Sequence, residues 1–167
     1  GLATAIDWQV HEVCDRANLK YELNLAENAS DVPPRVGIAL FRIVQEALTN
    51  VLKYAGAKTV TVDLMRDDEG VSLIISDDGI GLPERASHDS LSHGITGMRQ
   101  RVRALSGEFA IHGEPRGGTQ IEVWVPLSRL ATAEDDNPAE DAGATPQPEI
   151  HRAADAAPAT IAPTDNG

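Results

Sequence analysis

The sequence predicts an α+β fold, a two-layer sandwich whose mixed, mostly antiparallel sheet is covered on one face by about three helices. Three observations carry this expectation. Stretches of helical period and stretches of period two follow in the order helix, strand, helix, two strands, helix, two strands. Turns at 67–70 and 117–118 join neighbouring strands closely enough for antiparallel pairing. Strand–helix alternation is never sustained long enough for a doubly wound parallel sheet.

In chain order, residues 2–17 form a first helix, with Ile6, Val10, Val13 and Ala17 at helical spacing and Trp8 and Cys14 expected to help pack it. Residues 21–25 alternate as a short strand, and 28–31 with Pro33-Pro34 lead into the central helix, 35–55, which Gly56 closes as its C′ residue. Val60, Val62 and Leu64 alternate with Thr59, Thr61 and Asp63 in a half-buried strand, and 71–76 supplies its hairpin partner. Residues 77–83 break the pattern with two glycines and a proline. Residues 84–93 are polar and without period, the mark of a mobile loop. A third helix is expected over 95–105 on Met98, Val102 and Leu105, then strands over 109–112 and 119–126.

The remainder, 128–167, is Ala-, Pro- and acid-rich, holding half of the ten prolines and eight acids against two arginines. It cannot bury enough apolar surface to offset its ordering entropy, so it is expected to be a disordered acidic tail behind a domain spanning 1–127. The formal net charge of −12 over 167 residues argues against nucleic acid or an anionic membrane as general partner. Cys14 is the single cysteine, so no disulfide framework or thiolate cluster can form, and a reducing, cytoplasmic compartment is expected. No His has a partner at metal-ligand spacing, so no zinc site is expected. No apolar run approaches membrane-spanning length and no signal peptide opens the chain. The start at Gly1, without Met, fits a piece of a longer protein.

The central helix carries the first chemical signal. With Glu46 at zero on a wheel of about 100° per residue, Arg42, Asn50 and Lys53 fall within roughly 40° of it. Val36, Leu40, Ile43, Val44, Ala47, Leu48 and Val51 fill the arc from about 60° to 200°. A solvated outer face accounts for Arg42 and Lys53. It accounts less well for Asn50, a poor helix-interior residue with no packing role there.

Asp77-Asp78-Gly79-Ile80-Gly81 comes straight off an apolar strand. Its glycines let a ligand lie against the backbone, and an ionised Asp, acceptor-only, suits the exocyclic amine of adenine and rejects the guanine carbonyl. Asp-Gly is equally ordinary turn chemistry, so this stretch alone leaves a plain turn open. Ser92-His93-Gly94-Ile95-Thr96-Gly97-Met98 opens a helix, where free backbone N–H groups bind phosphate; a plain loop-to-helix junction is the alternative. Neither stretch is a Walker loop or a dinucleotide-binding fingerprint.

Together these pieces resemble one family. Residues 41–55, Phe-Arg-Ile-Val-Gln-Glu-Ala-Leu-Thr-Asn-Val-Leu-Lys-Tyr-Ala, look like the N box of sensor histidine kinase ATP-binding domains. Asp77 to Gly81 resembles the following glycine box, Gly94 to Met98 with Arg99-Gln100-Arg101-Val102 the second, and Gly117-Gly118-Thr119 the strand entry that closes the same pocket. The wording is nearest to two-component kinases with a short nucleotide lid. The resemblance covers 1–127 and implies the Bergerat ATP-binding fold of gyrase, chaperone and mismatch-repair ATPases.

It further implies ATP and Mg²⁺ as cofactors. Asn50 is then the Mg²⁺ ligand, Glu46 the catalytic acid/base residue and Lys53 a phosphate contact. Asp77 is the adenine anchor, Gly79 and Gly81 its close-approach glycines, and Thr119 a supporting hydroxyl. Gly94 and Gly97 let the lid and helix N-terminus wrap the phosphates, where Arg99 adds charge or faces solvent. Tyr54 stands in the phosphate-contacting position where the family usually has His, and Ser92 where the second glycine box usually begins with Gly. The family's phosphoacceptor His on a dimerising hairpin has no counterpart here; His11 leaves no room for a second hairpin helix. The implied function is delivery of the γ-phosphoryl group of Mg²⁺–ATP to a His on a separate domain, for relay to a response regulator. The parent kinase is then a homodimer and this fragment a monomer without membrane contact. The alternatives are a serine kinase of the anti-sigma-factor type and a nucleotide-binding interaction module without catalysis.

Overall fold

A computed structural model of the chain describes residues 1–82, 89–114 and 116–127. The expected acidic tail, 128–167, Pro83 and the 84–88 part of the expected loop lie outside them. Contacts divide the chain into Gly1–Asn137 and Pro138–Gly167, and every described residue belongs to the first unit.

Helix α1 (Leu2–Ala17) and strand β1 (Lys20–Leu25) are followed by a short 3₁₀ turn (Glu27–Ser30) and helix α2 (Pro34–Asn50). A π-helical turn (Val51–Ala55) extends α2, and the hairpin β2 (Thr59–Arg66) and β3 (Gly70–Asp77) comes next. Helix α3 (Asp89–Arg103), β4 (Glu108–Glu114) and β5 (Gly118–Pro126) complete the described chain. The five strands form one sheet in the order β1-β2-β3-β5-β4. Only β1 and β2 run parallel, because α2 crosses over between them; the other three pairs are antiparallel. The expected mixed, mostly antiparallel sandwich is what forms.

The core is one contiguous cluster. Val60, Val62 and Leu64 of β2, Leu73 and Ile75 of β3, and Val123 and Val125 of β5 turn their alternate side chains towards Val36, Leu40, Ile43, Val44, Ala47 and Leu48 of α2. That is the apolar arc read from the helical period. Pro34 at the first helical position supplies a preset φ for α2, and Gly56, at φ 58°, stops its extension in the left-handed region.

Three expectations on packing and boundaries are corrected. Trp8 is 63% exposed, because it points away from the line Leu2, Ile6, Val10 and Cys14 that buries α1; Cys14 packs as expected. The central helix is not α-helical to its end but widens to i→i+5 bonding from Val51, which moves Lys53 off a strict 3.6-residue wheel. Helix α3 starts at Asp89, not near 95, so 89–93 is helix rather than loop. Leu91, the one large apolar residue there, is buried and anchors the extra turn.

Candidate functional site

A cleft of about 310 Å³ opens beside the C-terminal half of α2, bounded by the ends of β3, β4 and β5, residues 80–82, and the first half of α3. Its walls are mostly apolar: Ala47 and Val51 from α2 and its π turn, Ile75, Ile111 and Ile121 from the sheet, and Leu91 and Ile95 from α3. The polar groups are few and sit on opposite sides. Asn50, Lys53 and Tyr54 come from α2 and the π turn, Asp77 and Thr119 from the sheet. Apolar walls with a few placed polar groups are the usual make-up of a small-molecule site.

Asp77 is the last residue of β3, and the antiparallel register sets it opposite Thr119 of β5. One carboxylate oxygen accepts the Gly79 N–H at 2.8 Å. Burial pushes the carboxyl pKa up, against the pull of hydrogen bonds from Gly79 and Thr119; the neighbouring Asp78 pushes it up further. Asp78 does a different job. Its Oδ1 accepts the N–H groups of Thr59 at 2.8 Å and Lys58 at 2.7 Å, which hold its pKa below the ordinary carboxylate value. It ties the start of β2 to the end of β3.

The loop after Asp77 is fastened to its surroundings. Ile80 donates its N–H to the Ala55 carbonyl at 2.9 Å, and its own carbonyl accepts the Arg116 N–H at 3.0 Å. At Gly79 a side chain would overlap that same Ala55 carbonyl, so this position admits only glycine without movement. Gly118 has φ 80°, and a Cβ there would run into the Asp77 carbonyl. Gly81, also at positive φ, lines the cleft.

The structure thus brings Asn50, Lys53, Tyr54, Asp77, Gly81 and Thr119 to one cleft, with Gly79 buried behind it. It sets three expected residues apart. Glu46, one turn before Asn50, is not among the lining residues; its carboxylate lies against α3 at Gly94, filling the space a Cβ would take. Gly94 and Gly97 sit inside α3, and Gly97 faces the Arg101 side chain of its own helix. Their N–H groups are committed to intrahelical bonds, because the free donors of a helix belong to its first four residues. Arg99 stacks on Phe109 of β4, its guanidinium 4.9 Å from the ring centroid. The Tyr54 hydroxyl meets Ser90 Oγ of α3. Sequence reasoning missed Leu82, Leu91 and Ile111 as walls. A lone Leu within the polar stretch 84–93 was the signal for Leu91.

Residues 36–129 match the model of a family described as histidine kinase-, DNA gyrase B-, and HSP90-like ATPase. The chain is 36% identical over 126 residues to the signal transduction histidine-protein kinase/phosphatase UhpB of Salmonella typhimurium, covering 75% of this chain and 21% of that protein. It is 38% identical over 96 residues to the histidine-protein kinase/phosphatase DegS of Brevibacillus brevis, covering 58% of this chain and 25% of that one. The chain therefore spans about a fifth to a quarter of these relatives. Among solved structures, the histidine kinase domain of the Erythrobacter litoralis EL346 blue-light activated kinase shares the fold, at a TM-score of 0.66 and 21% identity over 81% of this chain and 65% of that one. With the family model covering more than half of it, this chain belongs to the histidine kinase-, DNA gyrase B- and HSP90-like ATPases.

Proposed function

We propose that residues 1–127 are the Mg²⁺–ATP-binding catalytic domain of a two-component sensor histidine kinase. The observation that carries the reading is the half-buried Asp77 carboxylate at the base of an apolar cleft, one oxygen held by Gly79, across from Asn50 and Lys53. An acceptor-only group at the end of apolar walls selects a flat ring bearing an amine, as in adenine.

Asn50 offers a hard neutral oxygen and Lys53 a cation at the other side of the cleft. Among the described residues no three His, Cys, Asp or Glu side chains converge as a metal cage. The single Asn50 oxygen fits Mg²⁺, which takes most of its ligands from phosphates and water. The ion, when bound, neutralises charge on the phosphates. In the transfer, the bond from the γ-phosphorus to the bridging oxygen breaks, a phosphorus–nitrogen bond forms to the acceptor imidazole, and ADP leaves. Glu46, whose carboxylate packs against Gly94 at the edge of the cleft, is the group that would orient or deprotonate that imidazole, and the remaining work is positioning and charge neutralisation. The acceptor His lies on a separate dimerisation domain of the parent kinase, which is a homodimer in the cytoplasm, and a response regulator takes the phosphoryl group from it. No helix among the described residues is long and apolar enough to cross a membrane.

Calorimetric titration with ATP and GTP, each with and without Mg²⁺, tests the pocket. Binding of ATP that needs Mg²⁺ and that GTP does not match is the expected result; no binding of either refutes the assignment. Labelled ATP offered with a His-bearing helical hairpin, and separately with a Ser-bearing partner, then tests the acceptor. Label on the serine alone would overturn the histidine reading.

A further inference from the structure

Glycine weakens a helix interior, so each of the two inside α3, Gly94 and Gly97, needs a reason. Packing supplies little for Gly97: a side chain there would meet only the guanidinium end of Arg101, which can swing aside. Gly94 is different. A Cβ built on it would fall on a Glu46 carboxylate oxygen, 3.0 Å from Cδ and 3.4 Å from Cγ. The carboxylate from α2 thus rests on the bare backbone of α3. Leu91 and Ile95 line the cleft, but Gly94 does not.

Both sides of this contact are held. Ile43 and Ala47, flanking Glu46 on α2, are buried in the core and fix the position of its Cα. Leu91 and Met98, flanking Gly94 on α3, are buried as well and fix the backbone on which the carboxylate rests. Only the side chain of Glu46 has freedom to lose, and among the described residues no cation pairs with it. Shape rather than charge therefore sets its direction. That direction matters, because Asn50 stands one turn on, with Cβ atoms about 5–6 Å apart at such spacing. A carboxylate free to swing would reach the Asn50 side, where a hard cation takes carboxylate oxygens readily, and would serve there as a ligand instead of a base.

We propose that Gly94 is a positioning residue for Glu46: by lacking a side chain it gives the carboxylate a fixed seat on α3, and it acts on the transfer step rather than on nucleotide affinity. The proposal rests on the reading of Glu46 as the base. It gives a different task to a glycine that the family resemblance assigns to the phosphates, and its N–H, committed inside the helix, agrees with the change.

The test is Gly94→Ala in the full chain. Ala is the better helix former, and the atom in its way is the end of a flexible side chain, so the fold should hold and the Glu46 carboxylate should give way. Calorimetry should find the Mg²⁺–ATP affinity within about twofold of the unmutated chain. Transfer of labelled phosphate to a His-bearing hairpin should fall on the order of 100-fold, the usual loss for a misplacement of about 1 Å. Glu46→Gln removes the base and should lose about 10²–10⁴-fold. Adding Gly94→Ala to it should change transfer by less than about twofold, because the glycine acts only through Glu46. A multiplicative loss overturns the proposal. So does weakened ATP binding, or a melting temperature lower by more than about 5 °C in Gly94→Ala, since either marks a glycine needed for the phosphates or for folding. The Glu46 carboxyl carbon resonance, assigned by its absence in Glu46→Gln, reads the contact without any transfer. It should move in Gly94→Ala and stay in Gly37→Ala, the same change inside α2 with only Val32 near the new Cβ. If the unmutated chain labels no hairpin, the histidine kinase reading fails; the resonance then decides the seat by itself, and an unmoved one overturns it.

Discussion

Replacing Asp77 by Asn separates the two roles of this residue, because the substitution should act with opposite sign on binding and on folding. Asp77 holds the Gly79 N–H on one oxygen and accepts from Thr119, so an Asn would turn its carbonyl oxygen to those donors. Its NH₂ would then face the purine, donor against donor. Loss of a hydrogen bond to a charged group is worth about 1.5–3 kcal/mol, which makes ATP binding roughly 10- to 150-fold weaker. GTP, which presents a carbonyl at that edge, should lose much less, so the ATP-to-GTP preference narrows.

The folded state responds the other way. Burial raises the Asp77 pKa above the ordinary Asp value of 3.8, so ionisation is costlier folded than unfolded. That cost is absent below 3.8, grows as pH rises from there through the raised folded value, and is carried in full at neutral pH. The carboxylate is half-solvated, which limits the gain on removing its charge, but the sign is fixed. The ligand-free melting temperature at pH 7 should hold or rise slightly in Asp77→Asn. In the unmutated chain, ATP affinity should fall on acidification through the raised pKa. Calorimetry and thermal melts on the two proteins read both quantities. A variant that binds ATP unchanged would refute the adenine logic, and a variant that melts well below the parent would show that Asp77 is there to hold the loop.

Three further perturbations have definite outcomes. Gly118→Ala puts a side chain at φ 80° and against the Asp77 carbonyl, and should cost about 2–4 kcal/mol, seen as a melting temperature lower by on the order of 10 °C. Leu40→Ala empties a fully buried site under the sheet and should cost about 2–5 kcal/mol in denaturant unfolding. Asp78→Ala should cost about 0.5–1 kcal/mol at neutral pH, with solvent screening included. Because the folded pKa of Asp78 is lowered, its contribution is present above the unfolded value, near 3.8, and is lost as pH falls through the folded one. The gap between parent and variant should therefore close in acid melts.

By itself the sequence determined the layers and the inventory of the site. Periods of two and 3.6 residues identify the five strands and three α-helices of the described residues, because a half-buried strand and a helix stripe must place apolar residues at those intervals. The arc of α2 that packs on the sheet, and the polar Asn50 beside it, follow from the same spacing, whereas Lys53 reaches the cleft from the π turn. Asp77 and Thr119 were legible as separate motifs. What local spacing cannot contain is their meeting. That required β5 to insert between β3 and β4, a long-range pairing that sets Asp77 opposite Thr119.

The start of α3 was likewise beyond local reading. Ser, His, Gly and Thr have weak helix propensity, so 89–93 reads as loop until Leu91 finds the cleft and Ser90 finds Tyr54. The π turn is another case, since Val51–Ala55 has no sequence mark distinguishing i→i+5 from i→i+4 bonding. The position of Glu46 depends on both, as it shares a helix with Asn50 but faces Gly94 of α3 rather than the cleft. The physical division is between interactions within a few residues, which the sequence displays directly, and contacts whose partners are brought together only when the chain has closed.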